Sequence, residues 1–485
     1  MKSIWTLDSK LPSFKSLDSD LKSDVCVIGG GITGILTAYL LQKSDVECTL
    51  IESNTIASSV TPNTSAKVTA QHGLIYDKII SNFGKEGAWQ YARANSKALE
   101  MYKSIISKEN IDCSFETIAT YLYTREDNDL LDKEFSAMED VSLKASLTSK
   151  TTLPFDVTLA LKMDGQGQFN PLAFLGHISR NLNIYENTKA LEIDNNKIKT
   201  NKGVIKADHI VIASHFPFIN FPGYYFARMH QERSYVTALK DAGSLDGAYL
   251  GIDDEGYSFR TYKDMILLGG CGHRTGENSK GNNYNKLRDK AREFYPGHKE
   301  VCFWSTQDCM THDGIPYIGS YSNSTNNLYV ATGFNKWGMT SSMVSAMILT
   351  DMILDRNNDY KDIFSPQRGN FMASAKKLAI DGGKTSKAFI KQNLTIPSSK
   401  LSDLELGHGG IVEYEGEKLG VYKKSEDDIY IVSTKCPHLG CELSWNPDDL
   451  SWDCPCHGSR FDYKGKLLNN PSQKNLPSQK HMDDR

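Results

Sequence analysis

Two short loops bearing cysteine and histidine carry the most specific chemistry in the sequence. They are Cys436-Pro437-His438-Leu439-Gly440-Cys441 and, 12 residues further on, Cys454-Pro455-Cys456-His457-Gly458-Ser459. Each presents a soft thiolate and an imidazole. Zinc accepts the same four donors, but zinc fingers group cysteine with cysteine and histidine with histidine, whereas these loops mix the types and add a further cysteine each. The pattern predicts a 2Fe-2S centre in which Cys436 and Cys454 hold one iron and His438 and His457 hold the other.

A second constellation lies near the N-terminus. Gly29-Gly30-Gly31-Ile32-Thr33-Gly34 follows the apolar run Asp24–Ile28 directly, and Glu52 stands 23 residues after Gly29. Gly29 permits a tight turn, Gly31 lets the backbone approach a pyrophosphate, and Gly34 brings helix against strand. The helix N-terminus at Ile32 and Thr33 then turns unpaired N–H groups toward phosphate. Glu52 can accept from a ribose diol and would repel a 2'-phosphate, which favours FAD or NAD over NADP.

The elements that must position these groups follow from periodicity. Asp24–Ile28 reads as a buried parallel strand, Ile35–Gln42 as a helix and Glu47–Ile51 as the next strand, completing a βαβ unit. Lys202–Ala213 reads as a hairpin arm running into a buried strand, and Thr340–Leu354 has helical spacing. From Leu404 onward, Gly410–Tyr414, Leu419–Lys423 and Ile429–Ser433 are short β-rich runs separated by polar turns, as in a small all-β domain. Between them, Ser365–Leu401 is rich in Lys, Ser, Gly and Asn and reads as a connector with a helix around Phe371–Ala379.

Together with the fingerprint, the block Asp313-Gly314-Ile315-Pro316 and the run Leu328–Thr340 make residues 20–365 resemble the D-amino-acid oxidase family, which contains glycine and sarcosine oxidases. The resemblance implies FAD. It implies an α/β Rossmann-like FAD-binding domain built from residues 20–90, 150–220 and 310–365. It also implies an α+β substrate domain on an antiparallel sheet from 91–149 and 221–309. Asn63, Thr64, Ser65, Ala66 and Lys67 would lie along the FAD, as would Gly333. The Gly338-Met339-Thr340 turn would aim a helix N-terminus at the flavin, where a positive helix end stabilises charge on the reduced ring.

Family members oxidise a carbon bearing an amine, so a small amine is the expected substrate. Amino-acid-oxidising relatives hold the substrate carboxylate with an arginine five residues before the Asp-Gly pair; here that position is Asp308, which suits a cation better. Asp308 could equally bond backbone donors at a strand end. Arg260 either replaces the lost cation or is a surface strand residue, and Lys336 either faces the flavin or is an exposed loop lysine. His72, His273 and His312 are candidates for proton transfer.

Residues 402–485 resemble Rieske 2Fe-2S domains, with Trp445, Trp452 and the turn at Gly465 as further matches, and 366–401 as the connector. By that resemblance Cys441 and Cys456 form a disulfide clamping the two ligand loops. Phe461 replaces a tyrosine that bonds a ligand sulfur in high-potential members, which points to a lower potential. The polar segment Pro471–Arg485 offers no apolar final strand, which leaves closure of the small barrel in doubt.

Joined, the halves predict an enzyme that takes hydride from an amine onto FAD and passes electrons singly through the cluster to an acceptor docking at the histidines. Two alternatives are a redox carrier or sensor and an oxidase using dioxygen with the cluster as accessory. Rieske oxygenase chemistry is not expected, because the 28 residues after His457 hold no iron triad.

Composition bounds the rest. The 485 residues call for more than one domain, and a net charge of -4 with interspersed signs argues against nucleic acid. No run reaches the about 18 apolar residues of a membrane span, and the N-terminus lacks the apolar core of a secretory signal, so a cytoplasmic setting is expected.

Overall fold

The computed structural model describes residues 2–369, 403–414 and 416–479. The chain divides into two compact units. One comprises residues 1–223, 234–271 and 287–370, and the other 224–233, 272–286 and 371–485. The connector helix expected at Phe371–Ala379 lies outside the described residues.

In the first unit, Val25, Cys26 and Val27 are fully buried, as a central strand with no solvent face requires. Their strand, Leu21–Ile28, pairs in parallel with Val204–Ile212 on one side and Cys48–Ile51 on the other. Leu328–Thr332 and Asn183–Tyr185 extend the parallel sheet, and Tyr317–Ser320 closes one edge antiparallel. The expected hairpin arm is the start of Val204–Ile212, where Val204–Lys206 runs antiparallel to Lys197–Thr200, itself paired with Ala190–Asp194. The fingerprint helix, Ile32–Gln42, and the helix Gly338–Ile353 are buried on nearly all faces, with apolar and small hydroxyl side chains there. Thr33 Oγ1 and Ser342 Oγ share a hydrogen bond of 2.8 Å between them.

A second, largely antiparallel sheet has the order Lys299–Thr311, Met229–Lys240, Met265–Arg274, Ser258–Tyr262, Gly247–Gly251, Glu116–Thr124, Leu159–Gln168 and Lys67–Val68. Leu159–Gln168 and Lys67–Val68 fall in stretches assigned above to FAD binding, yet hydrogen-bond into this sheet. The long helix Tyr76–Lys108 breaks at Gly84, whose φ of 74° is a left-handed conformation suited to glycine. Its N-terminus is capped from another helix: Glu134 accepts from the amides of Ile75, Tyr76 and Asp77.

The second unit contains two four-stranded antiparallel sheets. The first runs His408–Tyr414, Glu417–Ser425, Asp428–Ser433, Ser478–Gln479; the second runs Ser444–Asn446, Ser451–Asp453, Arg460–Asp462, Leu467–Asn469. Trp452 and Phe461, cross-strand partners, are both fully buried at its centre. No apolar final strand is offered after Pro471, yet Ser478 and Gln479 pair with Val432 and Ile431 and supply a polar one. Backbone groups form the ladder, so a polar edge strand closes it without apolar side chains. Residues 224–233 and 272–286, placed by sequence in the substrate domain, pack in this unit instead.

Candidate FAD and cluster sites

At the fingerprint, Gly29 has φ +117°, and a Cβ there would meet the Ala213 carbonyl oxygen at 2.5 Å. A Cβ on Gly34 would stand 1.9 Å from the Gly29 oxygen, so helix and strand approach as only glycine allows. Gly31 caps the helix with no side-chain bond, and Ile32 N donates to Thr61 Oγ1 at 3.1 Å. Glu52 sits at the end of its strand with Oε2 accepting from Gly30 N at 2.7 Å, and Oε1 from Ser53 and Asn54.

Four consecutive carbonyls in the neighbouring stretch are each held by a buried side chain. Trp304 Nε1 donates to Asn63 O at 3.0 Å, Trp5 Nε1 to Thr64 O at 2.7 Å, and Arg260 Nη1 to both Ser65 O and Ala66 O. Arg260 is 2% exposed, so the surface alternative is wrong; Trp5 and Tyr262 flank its guanidinium at 5.3 and 5.8 Å. Thr340 Oγ1 bonds both Thr69 N and Thr69 O, and Tyr102 donates to Met339 O, which ties the 338–340 turn to the same stretch. Gly333, at φ +73°, ends the strand before it. A glycine cradle, a helix N-terminus, an acid at the second strand end and a backbone ribbon fixed from behind are the donor set FAD needs.

Lys67, His72 and Trp337 come together at that helix. Trp337 is the N-cap residue of Gly338–Ile353; Lys67 Nζ lies 5.5 Å from its ring centre and His72 stacks on it at 4.6 Å. His72 Nδ1 bonds Tyr91 Oη at 2.6 Å, while its buried Nε2 has no hydrogen-bond partner. Burial, then the nearby Arg260 cation, lowers the Lys67 pKa to about 8. Burial likewise drops His72 to about 3, so the ring is neutral near pH 7. Sequence offered His72 as a proton-transfer candidate and Lys67 as the end of the Asn63–Lys67 stretch, with nothing to join either to Trp337.

The other proposed catalytic residues are dispersed. Asp308 is half-buried on Lys299–Thr311, and His312 is buried just beyond that strand. Lys336 is exposed, with φ 71°. His273 belongs to the second unit, where Nδ1 lies 2.8 Å from the Arg274 carbonyl oxygen.

In the second unit the two ligand loops face each other. The rings of His438 and His457 stand 4.9 Å apart, edge to face, and burial lowers their pKa values to about 4 and about 3. Both imidazoles are therefore neutral near pH 7, as metal ligands must be. Cys436 and Cys454 share a hydrogen bond, which holds the Cys436 thiol below its usual range and pushes Cys454 up. The amides of His438 and Leu439 and the Ser459 hydroxyl also favour the Cys436 thiolate. Cys441 and Cys456 are joined by a disulfide, which takes them out of any metal-ligand set. Two adjacent thiols, two neutral imidazoles and an orphaned buried His457 Nδ1 fit a 2Fe-2S cluster.

Residues 24–352 match the profile of FAD dependent oxidoreductases, DAO. The chain belongs to this FAD-dependent oxidoreductase family. Residues 395–480 match the Rieske [2Fe-2S] domain profile, so this oxidoreductase carries FAD and a Rieske cluster. It is 37% identical to YhfW of Bacillus subtilis (strain 168), named as a Rieske 2Fe-2S iron-sulfur protein, over 97% of this chain and 96% of that one. Glycine oxidase from Geobacillus kaustophilus shares the fold with TM-score 0.61 at 16% identity, covering 72% of this chain and 99% of that one. L-proline dehydrogenase from P. horikoshii does so at 0.60 and 18%, covering 72% and 98%. No helix among the described residues of this FAD-dependent oxidoreductase is long and apolar enough to cross a membrane.

Proposed function

We propose that this oxidoreductase removes hydride from the carbon of a small amine and delivers the electrons one at a time, through its cluster, to an acceptor. Bound FAD supplies a two-electron acceptor and the cluster a one-electron relay. The observation that carries the reading is the grouping of Lys67 and His72 on Trp337 at the N-terminus of Gly338–Ile353.

An amine gives up hydride only as the free base, so its ammonium proton must first leave. Lys67 Nζ, partly neutral near pH 8, takes that proton. The neutral His72 ring, fixed by Tyr91, stacks behind Trp337 and holds that ring in place. The Trp337 ring walls the site against water. Asp308 attracts a cationic substrate toward its strand, while Arg260 holds the backbone ribbon rather than a substrate carboxylate. A cytoplasmic setting fits the six remaining cysteines, none of which is in a disulfide: Cys26, Cys48, Cys113, Cys271, Cys302 and Cys309.

Anaerobic titration with a panel of primary and secondary amines, followed by visible and EPR spectra, tests both parts. Flavin bleaching together with a reduced-cluster signal is expected. If no amine bleaches the flavin, the substrate class is wrong; if the flavin bleaches and the cluster stays oxidised, the electron path is wrong.

A further inference from the structure

The second unit is not built from the Rieske stretch alone. Residues 224–233 and 272–286 belong to it as well. Gln231 Nε2 donates to the carbonyls of His457 at 2.7 Å and Asn470 at 3.1 Å. A Cβ on Gly458 would stand 2.6 Å from the Gln231 Cβ, and one on Gly276 would stand 2.6 Å from Pro455 backbone atoms. Neither contact leaves room for a side chain. Arg233 pairs with Asp449, both almost wholly buried, and Asp449 also accepts from Arg460. Thr275 N donates to Gln231 O at 2.9 Å, so the two added segments also bond each other.

On that anchored scaffold stands Phe226. Its ring meets the His457 ring edge to face at 5.7 Å and 90°, and the His438 ring at 6.3 Å and 76°. His457 is only 7% exposed. One aromatic side chain, more than 200 residues earlier in the chain, thus reaches both imidazoles that hold the same iron.

We propose that Phe226 is a positioning residue of the cluster: it closes the histidine edge against water and thereby lowers the reduction potential. Reducing the cluster adds one electron, and one negative charge, to a centre whose imidazoles lie under an apolar ring. A less hydrated site disfavours that added charge, so potential falls with burial. Gln231 keeps the second loop in register beneath the ring. The acceptor then exchanges electrons across Phe226 and not directly with bare imidazoles.

The test uses the full-length holoprotein and the variants Phe226→Ala and Phe226→Leu, with iron content and thermal midpoint measured first. Spectroelectrochemistry and pulsed EPR after exchange into deuterium oxide give the readouts. In the alanine variant the midpoint potential should shift upward and new deuteron couplings should arise at the reduced cluster. The leucine variant should show the same changes, smaller. If alanine replacement ejects the cluster, the leucine variant decides alone. A cluster-loaded variant with wild-type potential and wild-type deuteron coupling overturns the proposal.

Discussion

Arg260 donates through one nitrogen, Nη1, to two successive carbonyls, those of Ser65 and Ala66, with the second contact at 2.8 Å. The residues are 195 and 194 positions apart in sequence, so a strand of the antiparallel sheet fixes a ribbon of the candidate FAD site. Arg260→Leu should keep the fold's volume but release both carbonyls. Charge-assisted bonds of this kind contribute about 1.5–3 kcal/mol. FAD should therefore bind roughly tenfold more weakly or worse, measured by flavin fluorescence on dilution. Unchanged FAD affinity would show that the ribbon holds its shape without the arginine.

Lys67 sets a pH dependence. Its pKa is lowered to about 8, and the neutral amine is the form that accepts a proton, so turnover should rise as pH passes upward through that value. Lys67→Met should remove this limb and lower kcat by about 100-fold or more, within the range for general acid–base groups. Steady-state rates from pH 6 to 10 decide the matter. A rising limb that persists in the variant would assign it to another group.

Asp313 and Arg368 form a buried pair, with Nε and Nη2 of the arginine each 2.9 Å from a carboxylate oxygen. Burial alone would raise the Asp313 pKa, but Arg368 outweighs it and the net shift is downward. A depressed carboxyl stabilises the fold above its unfolded pKa of about 3.9 and loses that contribution as pH falls through the folded value. Arg368→Leu should therefore cost about 3–5 kcal/mol at pH 7. Urea unfolding should show the gap from wild type narrowing as the pH is taken below about 4.

The Cys441–Cys456 disulfide spans 15 residues of sequence. A loop of that length corresponds to about 3 kcal/mol of stabilisation. The double variant Cys441→Ser, Cys456→Ser should unfold its second unit at lower denaturant and release iron in the same transition. Iron loss at the wild-type midpoint would show that the clamp does not support the ligand loops.

What sequence made legible was local. Gly29 to Gly34 with Glu52, and each Cys-His loop, are short-range patterns whose spacing alone implies their geometry, and the disulfide followed from resemblance. The Lys67–His72–Trp337 group was not legible, because it needs a turn at residue 337 folded back on residues 67 and 72. Arg260 reads in sequence as a replacement cation or a surface strand residue, because nothing in Tyr257–Arg260 shows that two carbonyls await it. Gln231 and His457, 226 positions apart, meet only through tertiary packing. The closing strand at Ser478 was missed because apolar alternation cannot announce a ladder made by backbone alone.

The composition of the second unit bears on how this protein can be cut. A gene fragment starting near residue 400 encodes both ligand loops but leaves Asp449 without Arg233 and the His457 loop without Gln231. Domain borders drawn on a linear map run through the middle of one folded body. A transplantable iron-sulfur cassette would have to carry three pieces of this chain, and the flavin half, once trimmed, would keep two of them with nothing to hold.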